Sequence, residues 1–292
     1  MRIGSLGLIL ALTALLSGFA LNANALLRSG PYTVWVVEGG LDDGPGWVEI
    51  NRHGMHLRTI RDRIISEARI LPLSGTGAAD LFVKTFSGGA HSSTTVYILG
   101  LREKLCTLLV FNADNYDIKA FKDLDHDGRQ EMIAWDDSFA YYDTSFAASP
   151  ALPFVFHYER GRFRDATSRY PALLNAERAK AEKQLIAAIG RKPHRPAQSP
   201  DANDTYQNQE AWRQEDIRSA IIAAYGDALV SGTARRTQVW LRAHLPASDW
   251  KWFLRARKDI ELTVADRGRK IAYNLHPKWR PPYWRRVRSG KG

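Results

Sequence analysis

The chain is 292 residues long, with 45% apolar, 11% aromatic and 25% charged side chains. That balance fits a folded protein of one or two domains and excludes a disordered tail or a fibre. Its 41 Lys plus Arg against 31 Asp plus Glu give a net charge of +10, and a single cysteine excludes an internal disulfide framework and a cysteine-rich zinc site.

Residues 1–25 read as an export signal. Arg2 precedes the uncharged run from Leu6 to Leu16, and small residues then lead to Ala23-Asn24-Ala25, an A-x-A cleavage pattern. The alternative, a retained membrane anchor, is opposed by the shortness of the run and by Ser17-Gly18 at its end. No cysteine follows the run, so the expected product is periplasmic or extracellular and carries no lipid anchor. The lone Cys106, inside an apolar stretch, is expected to be buried as a small hydrophobe.

Short β-branched and aromatic runs fill the first half: Tyr32 to Val37, Trp47 to Ile50, Asp80 to Phe86, Thr94 to Leu99, Leu105 to Phe111, Glu131 to Trp135 and Phe154 to Tyr158. Their spacing predicts antiparallel hairpins, stacked as propeller-like blades or as a small sandwich, with too few strands for a complete propeller. After Pro171 the period changes. Leu173 to Ile189 has helical spacing and ends at Gly190, and residues 191–207, with three prolines, read as a linker. Helices are predicted again over Glu210 to Val230, Thr233 to His244 and Ser248 to Val264, the last with Ser248 as N-cap and with Trp250, Phe253 and Leu254 on one face. The expected fold class is therefore α+β: a β-module over 26–170, a helical region over 171–275 and a basic aromatic tail over 276–292.

Charge divides at nearly the same place. Residues 26–190 hold 19 basic and 21 acidic side chains, net −2, whereas residues 191–292 hold 21 and 10, net +11.

The sharpest chemical signal is Asp123-Leu124-Asp125-His126-Asp127-Gly128-Arg129-Gln130-Glu131. Calcium takes six to eight oxygens, and carboxylates at positions one, three, five and nine, with a backbone carbonyl at seven, wrap them around one centre. Asp123, Asp125, Asp127 and Glu131 fill the side-chain places, Arg129 offers its carbonyl, and Gly128 permits the turn. An EF-hand would need Glu at position twelve, where Ala134 stands, and helices on both sides, where the flanks read as strands. The expectation is a hairpin calcium loop, with leucine 124 turned to the core. The alternative is an acidic turn without an ion, since Asp and Gly dominate turns in any case.

Residues Phe121 to Ile133 look like the calcium-loop signature of FG-GAP and VCBS-type repeat proteins, in which D-x-D-x-D-G-x-x-D/E joins two strands. The stretch from Asp80 through Ser87-Gly88-Gly89-Ala90-His91 to Val96 also resembles an S-G-G-A-H-C-C-x-T pattern of exported bacterial proteins bearing that loop, with Ser92 and Ser93 standing in place of the two cysteines. The resemblance spans roughly residues 80–167. It implies a calcium-braced β-module used for structure, adhesion or binding at the cell envelope, and it implies no catalytic residues.

A periplasmic hydrolase is the competing class. Ser87 and His91 lie close in sequence, with Asp136-Asp137 downstream, but no G-x-S-x-G elbow supports a triad. Adjacent strand residues point to opposite faces, so Asp136 and Asp137 are expected to close a turn or to back the calcium loop rather than to act as paired acids. The tail His276 to Gly292 carries six basic residues, no acids and three large aromatics. With the rest of the basic C-terminal third, it suggests an anionic envelope polymer or a membrane surface as partner in preference to nucleic acid, unless it is only a solvated terminus.

Overall fold

The computed structural model describes residues 25–40, 42, 44–88, 93–192 and 202–273, with backbone alone over 202–207. All of the expected leader but Ala25, together with His91 and the basic tail, lies outside the described residues.

The β half consists of three consecutive four-stranded antiparallel meanders. β1 (Ala25–Ser29), β2 (Tyr32–Val37), β3 (Gly46–Arg52) and β4 (Met55–Asp62) form the first. β5 (Ile64–Leu71), β6 (Asp80–Phe86), β7 (Thr94–Leu101) and β8 (Leu105–Asp114) form the second, and β9 (Ile118–Lys122), β10 (Glu131–Asp136), β11 (Leu152–Glu159) and β12 (Arg162–Asp165) the third. Each runs up and down in chain order, the strand order of a propeller blade, and no sheet closes on itself. A two-residue β13 (Ile271–Ala272) adds a fifth strand to the second sheet by pairing with β8. With helices confined to the C-terminal half, the protein is α+β.

Side-chain alternation sets the layers. On β6, Leu81 and Val83 join Tyr32, Val34, Val48 and Ile50 in a core between the first and second sheets. Phe82, one residue out of phase, joins Phe111, Met132, Phe154 and Phe156 between the second and third. A sheet covered on both faces must be apolar on both, which is why β6 and β7 read in sequence as almost continuous apolar runs. Phe111 packs edge-on against Phe154 and Phe156 at centroid distances of 5.2 and 4.8 Å.

One backbone approach is especially tight. Gly39 (φ +75°) follows β2 so closely against the start of β3 that a Cβ there would meet the backbone of Gly46 and the carbonyl oxygen of Arg63. Gly39→Ala is expected to cost at least about 1–2 kcal/mol from its left-handed φ alone. The check is a urea midpoint; a midpoint equal to wild type would show that the turn can relax.

The outer face of the third sheet is covered by helices. α1 (Pro171–Gly190) opens on Pro171 in its first turn, where the missing N–H has no cost. α2 (Ala202–Val230) begins eight residues before the periodicity predicts, so the 191–207 linker is helical over its last part. Helix propagation from a strongly buried segment carries through polar residues that could not nucleate it. That segment holds Ile217, Ala220, Ile221, Ile222, Tyr225 and Ala228, all buried. At Gly226 a Cβ would lie 2.7 Å from Leu152 of β11, so glycine lets the helix seat directly on the sheet.

α3 (Ala234–His244) and α4 (Ala247–Asp266) complete the layer. α4 starts after Pro246, so Ser248 sits inside the first turn and is not the N-cap. Its buried stripe is Trp252, Phe253, Ala256 and Ile260; Leu254, expected inside, is 46% exposed because it stands a third of a turn away from Phe253. No described helix is long and apolar enough to cross a membrane.

The chain then returns to the β half through a 3₁₀ turn, Arg267–Lys270. Arg267 is 6% exposed, with its guanidinium carbon 3.8 Å from the Phe154 ring centroid and Nη2 donating to the Pro153 carbonyl at 2.5 Å. Lys270 Nζ lies 2.7 Å from Asp114 Oδ2, 3.1 Å from Asp136 Oδ1 and 2.6 Å from Asp137 Oδ1. Asp136 and Asp137 are thus the anchor of this lysine. The strand ends at Asp136, so the turn that follows frees Asp137 from strict alternation and lets both carboxylates face one ammonium.

Candidate metal loop

The loop joins β9 to β10, two antiparallel strands with Glu131 paired to Lys122 and Met132 to Phe121. Its acidic side chains fold back on the backbone. The Gly128 N–H donates to Asp123 Oδ2 (3.1 Å), the Asp127 N–H to Asp125 Oδ1 (3.4 Å) and the Arg129 N–H to Asp127 Oδ1 (2.8 Å). Gly128 has φ +84° and His126 +62°, so two residues of the turn are left-handed and the glycine is needed where predicted. Leu124 packs with Val155, Ala166 and Tyr170 on the outer face of the third sheet.

Glu131 is fully buried. Its Oε2 accepts the Leu124 N–H at 2.7 Å and its Oε1 accepts from His157 Nδ1 at 2.9 Å. An ionised carboxylate has about four lone-pair sites, so both oxygens retain capacity for a cation. Asp123 Oδ1 is buried and has no hydrogen-bond partner among the described residues.

Asp123, Asp125 and Glu131 each present an oxygen within 4.8 Å of the other two. Asp125 and Asp127 form a second such group with His157. The structure therefore brings Asp123, Asp125 and Glu131 together, while Asp127 meets Asp125 on the side of the imidazole. Arg129, the predicted carbonyl donor, is fixed by its N–H on Asp127, and its side chain runs over Gly75, where a Cβ would meet Arg129 Cγ at 2.7 Å.

His157 and Tyr170 were not found from the sequence. His157 lies on β11, one step beyond the pair Met132 and Phe156, hence directly across from Glu131. Aligning the two strands as a hairpin would have revealed it. The Tyr170 hydroxyl donates to Asp125 Oδ2 at 3.4 Å; burial, with the Glu131 and Asp125 carboxylates beside it, holds its pKa above the usual phenol value.

Of the competing hydrolase constellation, Ser87 and Ser93 close the base of the β6–β7 loop, with the Ser93 N–H donating to Ser87 Oγ at 2.9 Å. Asp136 and Asp137 are committed to Lys270. Comparison of the chain with protein-family models, with curated proteins and with solved structures finds no match.

Proposed function

We propose that the chain is an exported, calcium-braced β-module that serves as a structural, adhesive or binding component of the cell envelope, in the manner of FG-GAP and VCBS-type repeat proteins. The observation that carries it is the convergence of Asp123, Asp125 and Glu131, together with a buried oxygen of Asp123 that has no hydrogen-bond partner among the described residues. Leaving such an oxygen unpaired in a protein costs about 1–3 kcal/mol, and a cation removes that cost. Three blade-like meanders and the D-x-D-x-D-G spacing support the same reading. The expected export agrees with it, because a weak extracellular site is filled where calcium is abundant.

Metal analysis of the purified protein, with thermal melts in calcium and in chelator, tests it. At 100 times its dissociation constant, calcium should stabilise the fold by about 2.7 kcal/mol. Asp125→Ala, which touches both acidic groups, should abolish that increment. An unchanged melt in chelator, with no metal in the native protein, would remove the reading; retention of zinc instead would shift the assignment to the His157 side of the loop, since imidazole suits zinc better than calcium.

A further inference from the structure

The first two sheets and the β11–β12 hairpin leave a groove of about 680 Å³ at the edge where β13 joins β8, lined by Arg58, Arg162, Tyr273, Cys106 and Thr107. A second cavity of about 310 Å³ shares Arg58 with it and adds Arg52, Lys104 and Glu103. Both lie within or near the range of small-ligand sites.

Arg58 is out of place by the rules that build the rest of β4. It stands two residues from the buried Ile60, so alternation turns it to the same, inward face. Its Nη1 is buried with no hydrogen-bond partner among the described residues, and so is the Nε of Arg52. A buried guanidinium nitrogen without an acceptor is costly, and it is relieved by an acceptor that enters the groove. Arg162, from β12 of the third sheet, also lines the groove, its guanidinium carbon 4.7 Å from the Tyr273 ring centroid, a stacking that holds the planar group in place. Along both cavities Glu103 is the one carboxylate against four cationic side chains. All four cations come from the segment whose net charge is −2, so the positive groove is a local feature and not a by-product of the basic C-terminal third.

We infer that this groove is a binding site for a phosphate monoester, with Arg58 and Arg162 as the groups that grip the dianion and Lys104 and Arg52 as flanking charge. Two guanidinium forks lining one groove match a doubly charged, multi-oxygen group better than a single carboxylate.

Cys106, expected to be buried, is half-buried and lines the groove, which makes the only cysteine of the chain a local reporter. The full chain is treated with iodoacetamide while glycerol 2-phosphate is titrated, with acetate at equal ionic strength as the control and phosphatidic acid vesicles as a parallel arm. Glycerol 2-phosphate should slow Cys106 alkylation several-fold and saturably, whereas acetate should not. Arg58→Gln and, independently, Arg162→Gln should each raise the half-protecting concentration at least tenfold, and Arg286→Gln in the tail should leave it unchanged. Protection by the soluble monoester assigns a small-molecule source, and protection by the vesicles alone assigns a lipid headgroup. Absence of protection in both arms, or equal protection in a folded Arg58→Gln or Arg162→Gln protein, overturns the site.

Discussion

Replacing Lys270 with methionine is expected to destabilise the protein by about 3–5 kcal/mol at neutral pH, the cost of leaving buried charges without their partner. Three carboxylates, Asp114, Asp136 and Asp137, converge on this one ammonium, and Asp136 and Asp137 are each 1% exposed. Burial works against the charge on Lys270, but the three acids overcome it and raise its pKa, so the ammonium is present throughout the physiological range. Burial likewise opposes the charge on Asp136, yet Lys270 and Arg267 hold its pKa below the ordinary carboxylate value. Asp114 is the acid left short: burial, with Asp137 beside it, outweighs Lys270 and pushes it up to about 6.

The sign of the pH dependence follows. Without Lys270 the acids can lower their mutual repulsion only by taking up protons, so the deficit of Lys270→Met should be largest above pH 7 and shrink as pH falls toward 5. Lys270 also sits beside β13, so the variant should expose the β8 edge that Ile271 and Ala272 cover. Chemical denaturation at several pH values reads the first effect and amide exchange at Val110 and Phe111 the second. A deficit below about 1 kcal/mol at pH 8 would mean that the clamp is replaceable by water.

The parts of this architecture visible in the sequence are those encoded by local period. Strands with one clear register, such as Tyr32 to Val37, and helices with an apolar stripe, such as α3, emerge from spacing alone. β4 and β5 were not predicted: Met55-His56-Leu57-Arg58-Thr59 mixes polar and apolar side chains, with Met55, His56 and Leu57 exposed and Leu57 and Arg58 lining a cavity, and on β5 the half-buried Glu67 and the exposed Arg69 stand beside a register shift. The loop was legible because calcium chemistry fixes residue type at fixed intervals. His157 and Tyr170 were not, because they reach the loop across a strand pair and from the start of α1. Nor was Lys270: its partners lie 133 to 156 residues away, and no local pattern records a return of that length.

Asp227→Asn should stabilise the protein on the alkaline side and destabilise it by about 1–3 kcal/mol in acid. Asp227 lies on the buried side of α2, is 2% exposed, and has an Oδ1 without a hydrogen-bond partner among the described residues. Burial, reinforced by the Glu177 carboxylate and offset only in part by Arg267 and Arg178, pushes its pKa up to about 8. A carboxyl whose folded pKa is raised is neutral in the fold over a range in which the unfolded chain has already lost the proton. Its cost to stability is therefore absent below about pH 4, grows as pH climbs from about 4 to 8, and is constant above. Asparagine keeps the shape and removes the charge, but its amide also needs partners in the same place, which takes back about 1–3 kcal/mol. The net gain should be on the order of 3 kcal/mol at pH 8.5. Denaturation midpoints of both proteins from pH 4 to 9 should cross within that window and then run parallel. Parallel curves throughout would show that the carboxylate is ionised in the native state and that solvent or Arg267 reaches Oδ1 from within the helical layer.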